Sequence, residues 1–72
     1  MARQGMVEAE GVVEKILGGG WHEVKLDNGR IVRAKLSGRL RNFRIRVLAG
    51  DRVRVEVSEY DFTKGFIVYR LT

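Results

Sequence analysis

The stretch Trp21-His22-Glu23-Val24-Lys25-Leu26-Asp27-Asn28-Gly29-Arg30-Ile31-Val32-Arg33-Ala34-Lys35-Leu36 decides the fold. Apolar and polar residues alternate on both sides of Asn28-Gly29. Alternation is the period of a half-buried strand, and Asn-Gly is a strong signal for a tight hairpin turn. A strand is predicted over roughly Trp21 to Asp27, with Val24 and Leu26 inward. Another is predicted over roughly Ile31 to Leu36, with Val32, Ala34 and Leu36 inward. A two-residue turn would set Val24 against Arg33 and place an arginine beside a core valine. A three-residue loop with Gly29 left-handed keeps the apolar face intact and is preferred. It is expected to pair Leu26 with Val32 and Val24 with Ala34. On the outer face Glu23 would then oppose Lys35, and Lys25 would oppose Arg33, a like-charge pair.

Working outward, Val7 to Leu17 reads as a first strand. Val7, Ala9, Val13 and Leu17 are expected inward, and Glu8, Glu10 and Glu14 outward. Gly11 inside it marks a bulge or sharp bend. Gly18-Gly19-Gly20 then breaks the chain. Beyond the hairpin, Ser37 to Phe43 predicts one short helical turn pinned by Leu40 and Phe43. Ile45, Val47 and Leu48 return toward the core, and Gly50-Asp51 is a turn. Val53, Val55 and Val57 alternate with Arg52, Arg54 and Glu56 in a fourth strand. Tyr60 to Gly65 reads as a connecting loop. The last strand runs from Phe66 to Leu71, with Ile67, Tyr69 and Leu71 on one face. The expected fold is all-β: a small five-stranded Greek-key β-barrel of the oligonucleotide-binding type, with a short helical turn between strands 3 and 4. In such barrels the face of strands 2 and 3 binds oligonucleotides. One domain is expected over 1–72, with 1–6 as a flexible N-terminus.

The chain has 72 residues, with fourteen Lys plus Arg against nine Asp plus Glu, for a net charge of +5. The span Arg30 to Arg54 holds nine basic residues and one acid, Asp51, giving +8; the remainder carries five basic and eight acidic residues, giving −3. Segregated charge points to one basic face. Ten of the fourteen cations are Arg, the side chain suited to bidentate phosphate contacts and stacking on bases. Trp21 falls on the outer face beside Lys25, Arg33 and Lys35. It either stacks on nucleic acid or covers an open barrel end.

Catalytic chemistry is missing. There is no Cys, one His and two Ser, so no nucleophile–base–orienter set can be assembled. One His cannot supply a zinc site, and no Gly-Lys-Ser/Thr follows the three glycines. No enzyme, metal or cofactor is expected. No apolar run approaches the roughly 20 residues that span a bilayer. The first residues lack the apolar segment of a secretory signal, so a cytoplasmic protein is expected.

Four segments together resemble bacterial translation initiation factor 1. They are Leu26-Asp27-Asn28-Gly29, Ser37-Gly38-Arg39-Leu40-Arg41, Ile45-Arg46-Val47-Leu48-Ala49-Gly50-Asp51-Arg52-Val53, and Tyr60-Asp61-Phe62-Thr63-Lys64-Gly65 followed by Ile67-Val68-Tyr69-Arg70. The resemblance covers about Glu8 to Arg70. It implies an S1-like barrel that binds ribosomal RNA at the A site of the small ribosomal subunit, beside a ribosomal protein. It also implies action with initiation factors 2 and 3. A monomer is expected. The RNA contacts it implies fall on Ser37, Gly38, Arg39, Arg41 and Arg46, with Lys64 and Arg70 as further basic candidates. Charge and position add Arg44 and the outer-face residues Trp21, Lys25, Arg33 and Lys35. This chain departs from the family pattern at His22, where an aromatic is usual, at Asn42-Phe43-Arg44, and at Phe66, where a basic residue is usual. Two other functions fit the same residues: a general single-stranded RNA chaperone of cold-shock type, and a module whose basic face meets an acidic protein.

Overall fold

The computed structural model describes residues 5–72. Its elements are β1 (Met6–Ile16), a 3-10 turn (Gly18–Gly20), β2 (Trp21–Leu26), β3 (Ile31–Leu36), α1 (Gly38–Asn42), β4 (Arg52–Ser58) and β5 (Asp61–Arg70). The strands close a barrel in the order β1-β2-β3-β5-β4, with β4 returning to β1. The β3–β5 pair is parallel and the other described pairs are antiparallel. The oligonucleotide-binding barrel expected from the sequence is the fold observed. Of the expected loose N-terminus, Met6 already pairs with Ser58, and residues 1–4 lie outside the described residues.

One strand serves both halves of the barrel because it bends at Gly11. Gly11 pairs with Leu26 on one side and Val53 on the other. A Cβ there would stand 2.3 Å from the Lys25 carbonyl oxygen, so only glycine lets the strands approach. Gly65 has the same role where β5 crosses β4: a Cβ would stand 2.2 Å from the Glu56 carbonyl oxygen.

The core is aliphatic. Val13, Val24, Val32, Ala34, Val53, Val55 and Ile67 are almost fully enclosed, with Leu26, Leu40, Val47 and Val57 completing the cluster. These are the β-branched and small residues that fit a narrow barrel interior. Every one of the six aromatic residues lies outside that cluster.

Several sequence expectations are corrected. The hairpin does have a three-residue loop with Gly29 left-handed, at φ 89°. That loop closes Leu26 onto Arg30, and the pairs become Val24–Val32, His22–Ala34 and Glu23–Arg33. The expected pairing was displaced by two residues, which kept the faces and changed the partners. Glu23 therefore opposes Arg33, a favourable pair, and the like-charge pair of Lys25 with Arg33 does not form. β5 begins at Asp61, so most of the expected loop is strand. Val68 is an extra residue between the Val55–Ile67 and Arg54–Tyr69 pairs. This bulge reverses the alternation and turns Tyr69 outward, away from the face of Ile67. Leu71, beyond the strand, is likewise exposed. Val7 and Leu48 are also exposed rather than inward.

Candidate nucleic-acid interface

Outward-pointing residues of β2, β3 and β5 form rows across three adjacent strands. One row is Trp21, Lys35 and Phe66; the next is Glu23, Arg33 and Lys64. The parallel β3–β5 pairing brings Lys64 beside Arg33 although they are 31 positions apart in the chain. Lys35 Nζ lies 4.9 Å from the Trp21 ring centroid, a cation–π contact on the outside of the barrel. Trp21 is half-buried in this row, and so contributes to the face rather than to the core.

Helix α1 continues the cationic surface. Ser37 caps it, its hydroxyl accepting from the Leu40 amide at 3.4 Å. Leu40 alone anchors the turn in the core; Phe43, expected to share that task, is 70% exposed. The reason lies in how the helix ends. The Arg44 amide donates to the Arg41 carbonyl and the Ile45 amide donates to the Leu40 carbonyl. This is a Schellman ending, with Arg44 as the left-handed residue at φ 54°. Glycine usually holds that position, because a side chain there costs energy. The reversal sends Ile45 back to pack on the core and leaves Phe43 and Arg44 exposed.

The candidate residues divide by position. Trp21, Lys35 and Arg41 line one groove, together with His22, Leu36 and Phe66. Arg33 and Lys64 border a second opening. Ser37, Gly38 and Arg39 line a third, which also holds Glu8, Glu56 and Tyr69 and shares Phe66 with the first. Arg39 there donates to the Tyr69 hydroxyl at 3.2 Å and lies over its ring. Arg70 donates to the Arg46 carbonyl at 3.0 Å, so these two mark one end of the barrel. Lys25 sits near the hairpin loop, opposite Ile31 and apart from α1. Phe66 and Phe43 were not among the sequence candidates. Phe66 was legible in principle, since its alternation with the inward Ile67 puts it outside. Phe43 was not, because its exposure depends on the left-handed residue after it.

The basic span Arg30 to Arg54 does not form one face. Arg52 bonds Asp27 at 2.5 Å and Glu10 at 3.4 Å, and Arg54 bonds Glu10 at 3.0 Å. The Asp27 carboxylate, as a hydrogen-bond acceptor and a nearby negative charge, holds the Arg52 guanidinium even more firmly protonated than usual; Glu10 does the same for Arg54. These two arginines are neutralised on the β1–β4 side. Among the described residues, Arg33, Lys35, Arg39, Arg41, Arg44, Arg46, Lys64 and Arg70 form no ion pair with a carboxylate. His22 is 7% exposed and its Nδ1 bonds the Ala34 carbonyl at 3.2 Å, which makes it a structural side chain under the Trp21 groove.

A closed five-stranded barrel with one short helical turn between β3 and β4 defines a small protein of the oligonucleotide-binding fold. Comparison with known proteins is consistent and more specific. The family model for translation initiation factor 1A / IF-1 matches residues 2–72. A translation initiation factor IF-1 of Bordetella avium is 51% identical over 70 residues, covering 97% of this chain and 80% of the relative. One from Burkholderia pseudomallei is 49% identical with the same coverage. The solution structure of translation initiation factor 1 from the Wolbachia endosymbiont of Brugia malayi superposes with a TM-score of 0.80 at 41% identity, covering 96% of this chain and 82% of that one. YjeQ from Thermotoga maritima contains a similar barrel, with a TM-score of 0.74 at 22% identity over 23% of its length, a likeness of fold only.

The chain belongs to the translation initiation factor 1A / IF-1 family. Its role is in translation initiation, and it is not an enzyme. Among the described residues no helix is long and apolar enough to cross a membrane.

Proposed function

We propose that this protein binds ribosomal RNA at the A site of the small ribosomal subunit, acts there with initiation factors 2 and 3, and works as a cytoplasmic monomer. The observation that supports this reading is the division of charge. Of the eleven described Lys and Arg residues without a carboxylate ion pair, eight lie on α1, the loop after it, and strands β3 and β5, while Arg52 and Arg54 are neutralised elsewhere. In this reading Arg39, Arg41, Arg44 and Arg46 hold phosphates, and Lys64, Arg33 and Lys35 extend the track over the barrel. The Ser37-Gly38 backbone is open to close approach by the RNA, since Gly38 is exposed and faces open space. Lys25 would touch only RNA that reaches the hairpin, and Arg70 would act beside Arg46 at the barrel end.

Binding to isolated small subunits tests the mechanism. If about six phosphates are neutralised, log affinity falls with log salt at a slope of about −4 to −5. A slope near zero would exclude a phosphate-driven interface.

One observation favours a second reading, a general single-stranded RNA chaperone. Phe66 joins Trp21 on the strand face, so that face carries two aromatics rather than one. Equal affinity for a short unstructured RNA and for the small subunit would select the chaperone.

A further inference from the structure

We propose that Tyr69 is a positioning residue for RNA binding, which holds the Arg39 guanidinium in place on the surface before a phosphate arrives. This rests on the RNA-binding reading above and specifies how one of its cations is prepared.

The starting point is the bulge in β5. Val55 pairs with Ile67 and Arg54 pairs with Tyr69, which leaves Val68 as the extra residue. Without it, Tyr69 would share the inward face of Ile67, which is fully enclosed. Bulges re-aim side chains beside functional sites. This one places Tyr69 on the outside of the barrel, within reach of α1.

Arg39 meets Tyr69 in two ways. Its Nη1 donates to the hydroxyl at 3.2 Å, and its Cζ lies 5.2 Å from the ring centroid. Arg54, the strand neighbour of Tyr69 on β4, also lies over the ring, with its Cζ 5.7 Å from the centroid. Arg54 is itself held by Glu10 at 3.0 Å. Tyr69 is thus braced from β4 while it braces Arg39. Arg41, on the same helix, has no side-chain hydrogen bond, ion pair or ring contact among the described residues.

The chemistry of the partner decides what this contact does. Arg52 and Arg54 are held by the carboxylates of Asp27 and Glu10, which cancel their charge. The Tyr69 hydroxyl is neutral. It fixes the direction of the Arg39 guanidinium and leaves its positive charge for a ligand. The hydroxyl takes one N–H, and the remaining donors of the guanidinium fork are left for a phosphate. Immobilising a long, flexible side chain on binding lowers affinity by about 2- to 13-fold. In Arg39 most of that ordering is completed on folding. The support is rigid, because tyrosine has only two side-chain torsions.

The test uses the full-length protein and isolated small subunits in a double-mutant cycle of Tyr69→Leu and Arg39→Ala. Tyr69→Leu is expected to weaken binding by about 2- to 13-fold without changing the salt slope, since the phosphate contact still forms. In the Arg39→Ala background the same substitution is expected to have no further effect. Tyr69→Phe keeps the ring and loses the hydrogen bond, so it should show a smaller loss, and it serves if the leucine variant melts near the assay temperature. In the free protein, nitrogen relaxation of the arginine side chains should show Arg39 more ordered than Arg41, and as mobile as Arg41 in Tyr69→Leu. Equal weakening in both backgrounds, wild-type affinity in Tyr69→Leu, or an Arg39 as mobile as Arg41 in the wild type overturns the positioning role. If Arg39→Ala alone still lowers affinity and salt slope, the cationic interface stands without it. Wild-type affinity and slope in Arg39→Ala overturn the assignment of Arg39 to phosphate, and the role of Tyr69 with it.

Discussion

Replacing Arg44 separates what this residue costs the fold from what it does for binding. Arg44 sits at φ 54°, the left-handed position that ends α1. A residue with a Cβ costs about 1–2 kcal/mol there. Arg44→Gly removes that cost and adds about 0.5–1 kcal/mol of lost chain entropy on folding. The net expectation is a gain of about 0.5–1 kcal/mol. For a domain of this size that raises the melting temperature by about 2–8 °C. Arg44→Ala keeps the strain and removes the charge, so its melting temperature should stay near wild type. Both variants lose one phosphate contact, so both should bind small subunits more weakly and reduce the salt slope by about 0.7–0.9. Thermal denaturation and salt-dependent binding of the two variants together form the assay. A glycine variant that melts lower than wild type, or that melts with the alanine variant, would refute the assignment of strain. Wild-type binding by both would refute the assignment of Arg44 to the interface.

Other perturbations probe separate contacts. Arg39→Ala with Arg41→Ala should weaken subunit binding strongly while costing only about 0.5–1 kcal/mol of stability, from the Arg39–Tyr69 contact; a collapse in melting temperature would make both residues structural. Gly65→Ala should cost more than about 3 kcal/mol, because its Cβ meets the Glu56 backbone and cannot move aside; a soluble variant with wild-type melting would show that β4 and β5 are farther apart. Glu10→Gln should change the melting temperature little, since its ion pairs with Arg52 and Arg54 are solvated, yet raise binding to unrelated RNA by releasing their charge. Thr63 donates to Asp61 through its hydroxyl and its amide and holds that carboxyl below its ordinary value of 3.8. A lowered folded value stabilises the protein above the ordinary value, and that contribution is lost as pH falls through the folded one. The melting difference between wild type and Asp61→Asn should therefore be present at neutral pH and vanish in strong acid.

Much of the barrel was legible because a half-buried strand repeats every two residues. Val53, Val55 and Val57 could face only one way, and Val24 and Val32 only the same way once a hairpin joined them. Two positions defeated that logic. At the hairpin, a two-residue slip preserves which face each side chain occupies, so hydrophobic pattern alone could not distinguish Val24–Val32 from Val24–Ala34. At Val68, a bulge reverses the alternation, and nothing in Ile67-Val68-Tyr69 announces the extra residue. The site was legible as charge but not as surface. Arg52 and Arg54 belong to the basic span in sequence, yet their partners Glu10 and Asp27 arrive from β1 and the hairpin loop. Lys64 joins Arg33 only through the parallel pairing of β3 with β5. Such long-range juxtapositions follow from barrel closure, which no local pattern encodes.

Whether the cations of α1 and the β3–β5 surface meet ribosomal RNA at the decoding site is tested most directly by chemical footprinting. Ribosomal RNA on small subunits is probed with and without the protein. Protection confined to the decoding site, and lost when Arg39 and Arg41 are both replaced by Ala, is the predicted result. Protection elsewhere, or protection that survives the double substitution, would contradict it.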